Sequence, residues 1–189
     1  MSHMSLSMSD TEDLKRNELP SGWFLSGGRP DQYKVKLDRT TSHSGTQSAC
    51  MENVDDNPED FGTLMQECSP DSFLNKRVRL TCWIKTSDVQ DWVGAWFSVY
   101  GQAGRINISF DNMCNRKISG TTDWTKYELV LEVPHDASKL AFGVILNGSG
   151  KLWFDDLSFD VVTREIELTD CPCSQRSRSN QPRNLKFES

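Results

Sequence analysis

The side chains best suited to recognising a ligand are aromatic rings interleaved with planar polar groups. They are Arg79, Trp83, Trp96, Tyr100, Asn107 and Asp111, with Gln66 in a neighbouring run. Trp83, Trp96 and Tyr100 offer flat π-faces on which the C–H face of a pyranose stacks. Arg, Asn, Gln and Asp side chains offer the paired donors and acceptors that adjacent hydroxyls require. A solvated sheet face normally carries Thr, Lys and Glu with few large rings. The competing reading is that some of these rings cover a sheet edge or lie beneath a loop. Catalytic chemistry is thin by comparison. With His3 set aside, only His43 and His135 could act as imidazole bases, and there is no G-x-S-x-G nucleophile motif. Asp55, Asp56, Glu59 and Asp60 share one Asn- and Pro-containing loop, which reads as solvated rather than as a hydrolytic carboxylate pair. Cys171-Pro-Cys173 is too tightly spaced for a zinc pair. The expectation is a non-enzymatic binding surface with no catalytic residues and no required cofactor; a small hydrolase ranks last.

These side chains are expected on strands. Apolar residues alternate with polar ones in short runs bounded by Gly, Asn, Asp and Pro, and no segment sustains a helical period. The clearest runs are 77–86, 93–100, 105–111, 124–133, 140–147 and 152–162; Asp155-Asp156 interrupts the last as a bulge would. Weaker runs cover 22–26, 33–37, 47–52 and 62–68, and 163–168 reads as one more strand. Turn chemistry separates them at Gly27-Gly28-Arg29-Pro30, Asn57-Pro58 and Asn147-Gly148-Ser149-Gly150. Short strands with one apolar face each imply an all-β, two-layer antiparallel β-sandwich. If the central strands share a sheet, one face gathers the candidate binding residues.

The chain has 189 residues, 21 Lys+Arg against 27 Asp+Glu, and a net charge of −6. This balance argues against a general nucleic-acid binder, which draws affinity from neutralising phosphates. No apolar run approaches the ~20 residues of a membrane span, and the first residues lack a signal-peptide core. The expected location is therefore cytoplasmic, with no membrane partner and with the six Cys reduced. Met1-Ser2-His3-Met4 reads as a cloning remnant. The expected division is a tag and disordered leader over 1–18, the sandwich over 19–168, a flexible linker over 169–183 and a last strand over 184–189.

Several motifs resemble a known family. Gly22-Trp23-Phe24-Leu25-Ser26-Gly27, Trp124-x-x-Tyr127 and Trp153-Phe154-Asp155-Asp156-Leu157-Ser158-Phe159 are similar to those of galactose-binding-like jelly-roll carbohydrate-binding modules. Asp111-Asn112-Met113 and Gly120-Thr121-Thr122-Asp123-Trp124 resemble a bacterial subgroup found alone or beside helix-turn-helix regulators and erythromycin-esterase-like domains. The resemblance covers residues 19–162. It implies a jelly roll and a carbohydrate or similar polar ligand; a protein-interaction or sensory domain on the same scaffold is the other function it leaves open. Such modules begin with an Asn-x-x-Phe-Glu strand, whereas here Asn184-Leu185-Lys186-Phe187-Glu188 stands at the far end. That strand either returns to the first-strand position or exchanges into a second copy, giving a monomer or a swapped dimer. A disordered tail or the start of a further domain are the remaining readings. The resemblance also implies a structural calcium, carried by Asp155 and Glu188.

Overall fold

The computed structural model describes residues 18–102 and 107–170. Nine strands form there: β1 (Phe24–Gly27), β2 (Tyr33–Asp38), β3 (Ser48–Asn53), β4 (Phe61–Cys68), β5 (Lys76–Gly101), β6 (Ser109–Asp111), β7 (Ile118–Val133), β8 (Ala137–Asn147) and β9 (Lys151–Val162). Every pairing is antiparallel. The expected runs at 77–86 and 93–100 prove to be the two ends of a single 26-residue strand, β5.

β5 builds both layers. Its first part pairs with β9 and β7, and β9 continues to β3 and β2. Its last part pairs with β8 and β6, and β8 continues to β4 and β1. Between these parts the register with β7 slips three times, from Ile84 to Val93, and Asp88 takes a positive φ of 56°. A strand bent this way leaves one sheet and enters the other, the usual device at a sandwich corner.

The two inner faces meet in one core. Val78, Leu80, Cys82 and Ile84 from the first part of β5 join Phe97 and Val99 from the last part. Rings cross between the layers: Phe159 on β9 meets Phe142 on β8 at 4.7 Å and Phe97 at 5.5 Å, both edge-on. Trp23 closes one end, edge-on to Phe142 and Phe154. Each such apolar side chain contributes roughly 1.5–3 kcal/mol when fully buried.

The bulge in β9 is real. Thr81 pairs with Ser158 and Trp83 with Asp155, so one residue on β5 faces two on β9, and Asp156 has a φ of +49°. Two expectations fail. Residues 163–168 are not a strand: Ile166 turns back to bond the Thr163 carbonyl, and Arg77 holds the carbonyls of Arg164 and Ile166. The cysteines are not all reduced either, since Cys50, Cys68 and Cys82 are free thiols but Cys114 is disulfide-bonded. Cys50 and Cys82 are core residues, and burial pushes their thiols up to about 11 and about 12. Of the expected leader over 1–18 only Glu18 is described, and of the expected linker over 169–183 only Thr169 and Asp170; the rest of both, and the strand expected over 184–189, lie outside the described residues.

Candidate functional site

The outer face of the β1–β4–β8–β5–β6 layer carries an apolar surface outside the main core. On β5 the side chains of Trp96, Ser98 and Tyr100 alternate outward, and on β8 Ala141, Gly143 and Ile145 occupy the same face. Met65, Trp96, Ala141 and Ile145 form its buried floor, with Phe61, Trp92, Tyr100 and Phe110 half-buried around them. Small residues keep the middle low. Trp92 lies across Gly94, where an added Cβ would stand 3.0 Å from the ring. A Cβ at Gly143 would stand 2.2 Å from the Leu64 carbonyl oxygen.

Polar groups ring this floor. Ser98 donates to Asn107 Oδ1 at 2.6 Å, and Asn107 is exposed with a φ of +51°. Lys139 Nζ sits 4.5 Å above the Tyr100 ring and 2.8 Å from Glu67. Lys117 Nζ is 4.9 Å from the Trp92 ring. At the far end Asn147 donates to Asp91 at 3.3 Å. Trp96 is the least accessible ring, 7% exposed, and its indole N–H donates to Thr63 Oγ1 at 2.8 Å. It is a pinned floor rather than an open platform. The half-buried rings are those of Tyr100, Trp92, Phe110 and Phe61, with lysines lying over the first two.

The seven residues singled out from sequence do not share one face. Trp96, Tyr100 and Asn107 converge on this one. Arg79 and Trp83 lie on the outer face of the other layer, because β5 changes layers between them and Trp96. There Arg79 lies between Glu128 at 3.9 Å and Asp160 at 3.5 Å. One face of Trp83 is covered by His43, stacked at 3.7 Å and 16°. Gln66 pairs with the core residue Phe142 and donates to the Gly22 carbonyl at the sandwich end. Asp111 pairs with Phe97 and is 0% exposed. Its carboxylate accepts from Arg116 at 2.5 and 3.1 Å and from the Met113 N–H at 2.8 Å. That ion pair shapes the turn after β6. Phe110, which the alternation sends inward, faces out beside Ser98.

Trp92, Phe110, Phe61 and Lys139 are the members that sequence reasoning missed. Trp92 had a readable signal, since it continues the 92–94–96–98–100 alternation one step upstream. Lys139 and Phe61 had none, because only strand pairing brings them to the site.

Asp155, the calcium ligand that the resemblance implies, is held by backbone donors. Its Oδ2 accepts the backbone N–H of His43 at 2.8 Å and of Ser44 at 3.2 Å, and its Oδ1 accepts that of Asp156 at 2.8 Å. Among the described residues no cluster of three or more His, Cys, Asp or Glu could hold a metal, and Glu188 lies outside them. Asp156 continues the same clamp. The Ser44 hydroxyl and the His43 ring hydrogen-bond it and hold its carboxyl below the ordinary range, against partial burial.

Comparison with known proteins shows what this fold is similar to. The solved structures include the enzymatically active domain of bacteriophage CBA120 tailspike protein 4, at 16% identity and a TM-score of 0.58. That match covers 75% of this chain and 20% of the tailspike chain. The CBM22-1 xylan-binding domain of Paenibacillus barcinonensis Xyn10C matches at 17% identity and 0.53, over 78% of this chain and 90% of that one. The chain has the jelly-roll fold of carbohydrate-binding modules. The same jelly roll also matches a Stig cyclase from Fischerella at 13% identity and 0.53, over 78% of this chain and 89% of the cyclase. In sequence, the chain is 37% identical over 182 residues to YbfP, an uncharacterised HTH-type transcriptional regulator of Bacillus subtilis (strain 168). The match takes in 95% of this chain and spans 61% of the regulator's length. No protein-family profile matches the chain. Among the described residues no helix is long and apolar enough to cross a membrane.

Proposed function

We propose that the chain is a non-catalytic binding module whose ligand is a carbohydrate or a similar polar molecule lying on the β4–β8–β5–β6 face. The observation that carries this reading is the pairing of an apolar ring-lined floor with a hydrogen-bonding rim. Tyr100, Trp92 and Phe110 offer ring faces, and Asn107, Lys139, Glu67 and Asn147 offer polar groups around them. Rings satisfy the C–H face of a sugar and the rim satisfies its hydroxyls. The xylan-binding domain with the same fold supports this ligand class. Trp83 and Arg79 take no part in this site.

A second reading has its own support in the regulator relative: the sandwich senses an effector for a transcriptional regulator. The two readings differ in the ligand, not in the face. Tryptophan fluorescence titrated with xylo-, gluco- and galacto-oligosaccharides tests the first. A saturable change is expected, weakened about tenfold, or ~1.4 kcal/mol, by Tyr100→Ala or Trp92→Ala. Trp83→Ala should leave the affinity unchanged. A flat response across a broad glycan panel would sink the carbohydrate reading and leave the effector-sensing one.

A further inference from the structure

One edge of the sandwich is unfinished. β3 pairs with β9 only from Ala49↔Phe154 to Glu52↔Lys151. Beyond Phe154, β9 keeps β5 on one side and has no strand on the other among the described residues. The exposed backbone of such an edge is a template for one more strand. The apolar row beside it is open as well: Leu157 and Phe159 are half-buried and Val161 is 53% exposed. A cavity of ≈ 180 Å³ opens between the layers at the same place, lined by Pro20, Trp23, Leu37, Leu64, Phe154 and Leu157.

We propose that residues 184–188 of the same chain fill this edge as a tenth strand along β9. Asn184-Leu185-Lys186-Phe187-Glu188 has the period of two that a half-buried edge strand needs. In that position Leu185 and Phe187 face the cavity and the Leu157–Phe159–Val161 row. Lys186 then falls on the outer side, where β9 presents Asp155, Ser158 and Asp160. The described chain ends at Asp170, where Thr169 bonds Val130 on β7. From β7 to the open edge is three strand spacings, about 14 Å. The intervening residues 171–183 reach up to ~43 Å when extended. The N-terminal leader is a poorer occupant. It departs at β2, where the Glu18 N–H bonds the Val35 carbonyl, and residues 5–17 lack alternation.

Hydrogen exchange on the full-length protein tests this. Amides along 156–162 should be protected, and Leu185→Asp with Phe187→Asp should lower that protection about tenfold or more, with the core of β5 unchanged. The wild type should also show nuclear Overhauser contacts between the Phe187 ring and the methyls of Leu157 or Val161, within a monomer. Should the double Asp variant unfold, the Leu185→Ala/Phe187→Ala pair reads the same amides. Protection that is absent in the wild type or unaltered by either pair overturns the proposal. So does a dimer in which isotope filtering shows the Phe187 contacts to be between copies.

Discussion

Asp38 shows how one carboxylate fixes a loop. It accepts the Trp153 indole N–H at 2.8 Å, the Thr40 hydroxyl at 2.7 Å, and the backbone N–H groups of Thr40 at 2.8 Å and Thr41 at 3.2 Å. Burial alone would raise its pKa; the four donors outweigh burial and hold it at about 2. A carboxyl depressed in the folded state contributes stability that is complete above its unfolded pKa of about 4 and is lost as pH falls through about 2. The melting temperature should therefore decline between pH 4 and pH 2, and Asp38→Asn should flatten that part of the profile. The Trp153 bond was not legible beforehand, because Trp153 is 115 positions away in sequence. Asp111 makes the same point more sharply. Its type suggested a hydroxyl partner, yet strand register puts it inside, against Arg116.

The elements were more readable than their joints. Alternation located most strand cores, since a sheet with one buried face imposes a period of two on the sequence. It could not show that 77–86 and 93–100 belong to one strand, because the bend between them follows no simple period. That bend decides the site, since it sends Trp83 and Trp96 to opposite sides of the molecule. Gly143 is the element-scale determinant that pattern reading passes over. It pairs with Met65 on β4, and the Leu64 carbonyl oxygen would stand 2.2 Å and the Met65 Cα 2.9 Å from an added Cβ. Backbone cannot yield as a side-chain tip does, so Gly143→Ala should cost about 1–3 kcal/mol. Urea unfolding measures it, and a loss below that range would show that the two strands can part without penalty.

At the scale of the molecule, the sandwich holds because two sheets share one core. Phe97 is 0% exposed and touches Phe159 across the layers. Phe97→Ala should cost about 3–5 kcal/mol, as large-to-small changes in a packed core do. Chemical denaturation should show this as a shift of the midpoint without a change in slope. The outer cluster around Trp96 is a different kind of apolar surface. It packs on one sheet only and has no second layer above it among the described residues, as the proposed ligand face requires.

The sequence by itself determined the fold class, most of the strands, the bulge at Asp155-Asp156 and the central place of Cys82. Each follows from a local rule: a two-residue period, turn residues at the ends, and burial of one face. Only the tertiary structure decided which side chains meet. Trp96 and Tyr100 kept a shared face because they alternate along one end of β5, and Asn107, just before β6, joins them through the hydrogen bond it accepts from Ser98. Arg79, Trp83, Gln66 and Asp111 left it because layer change and register are set by packing between strands far apart in the chain, which no local period encodes.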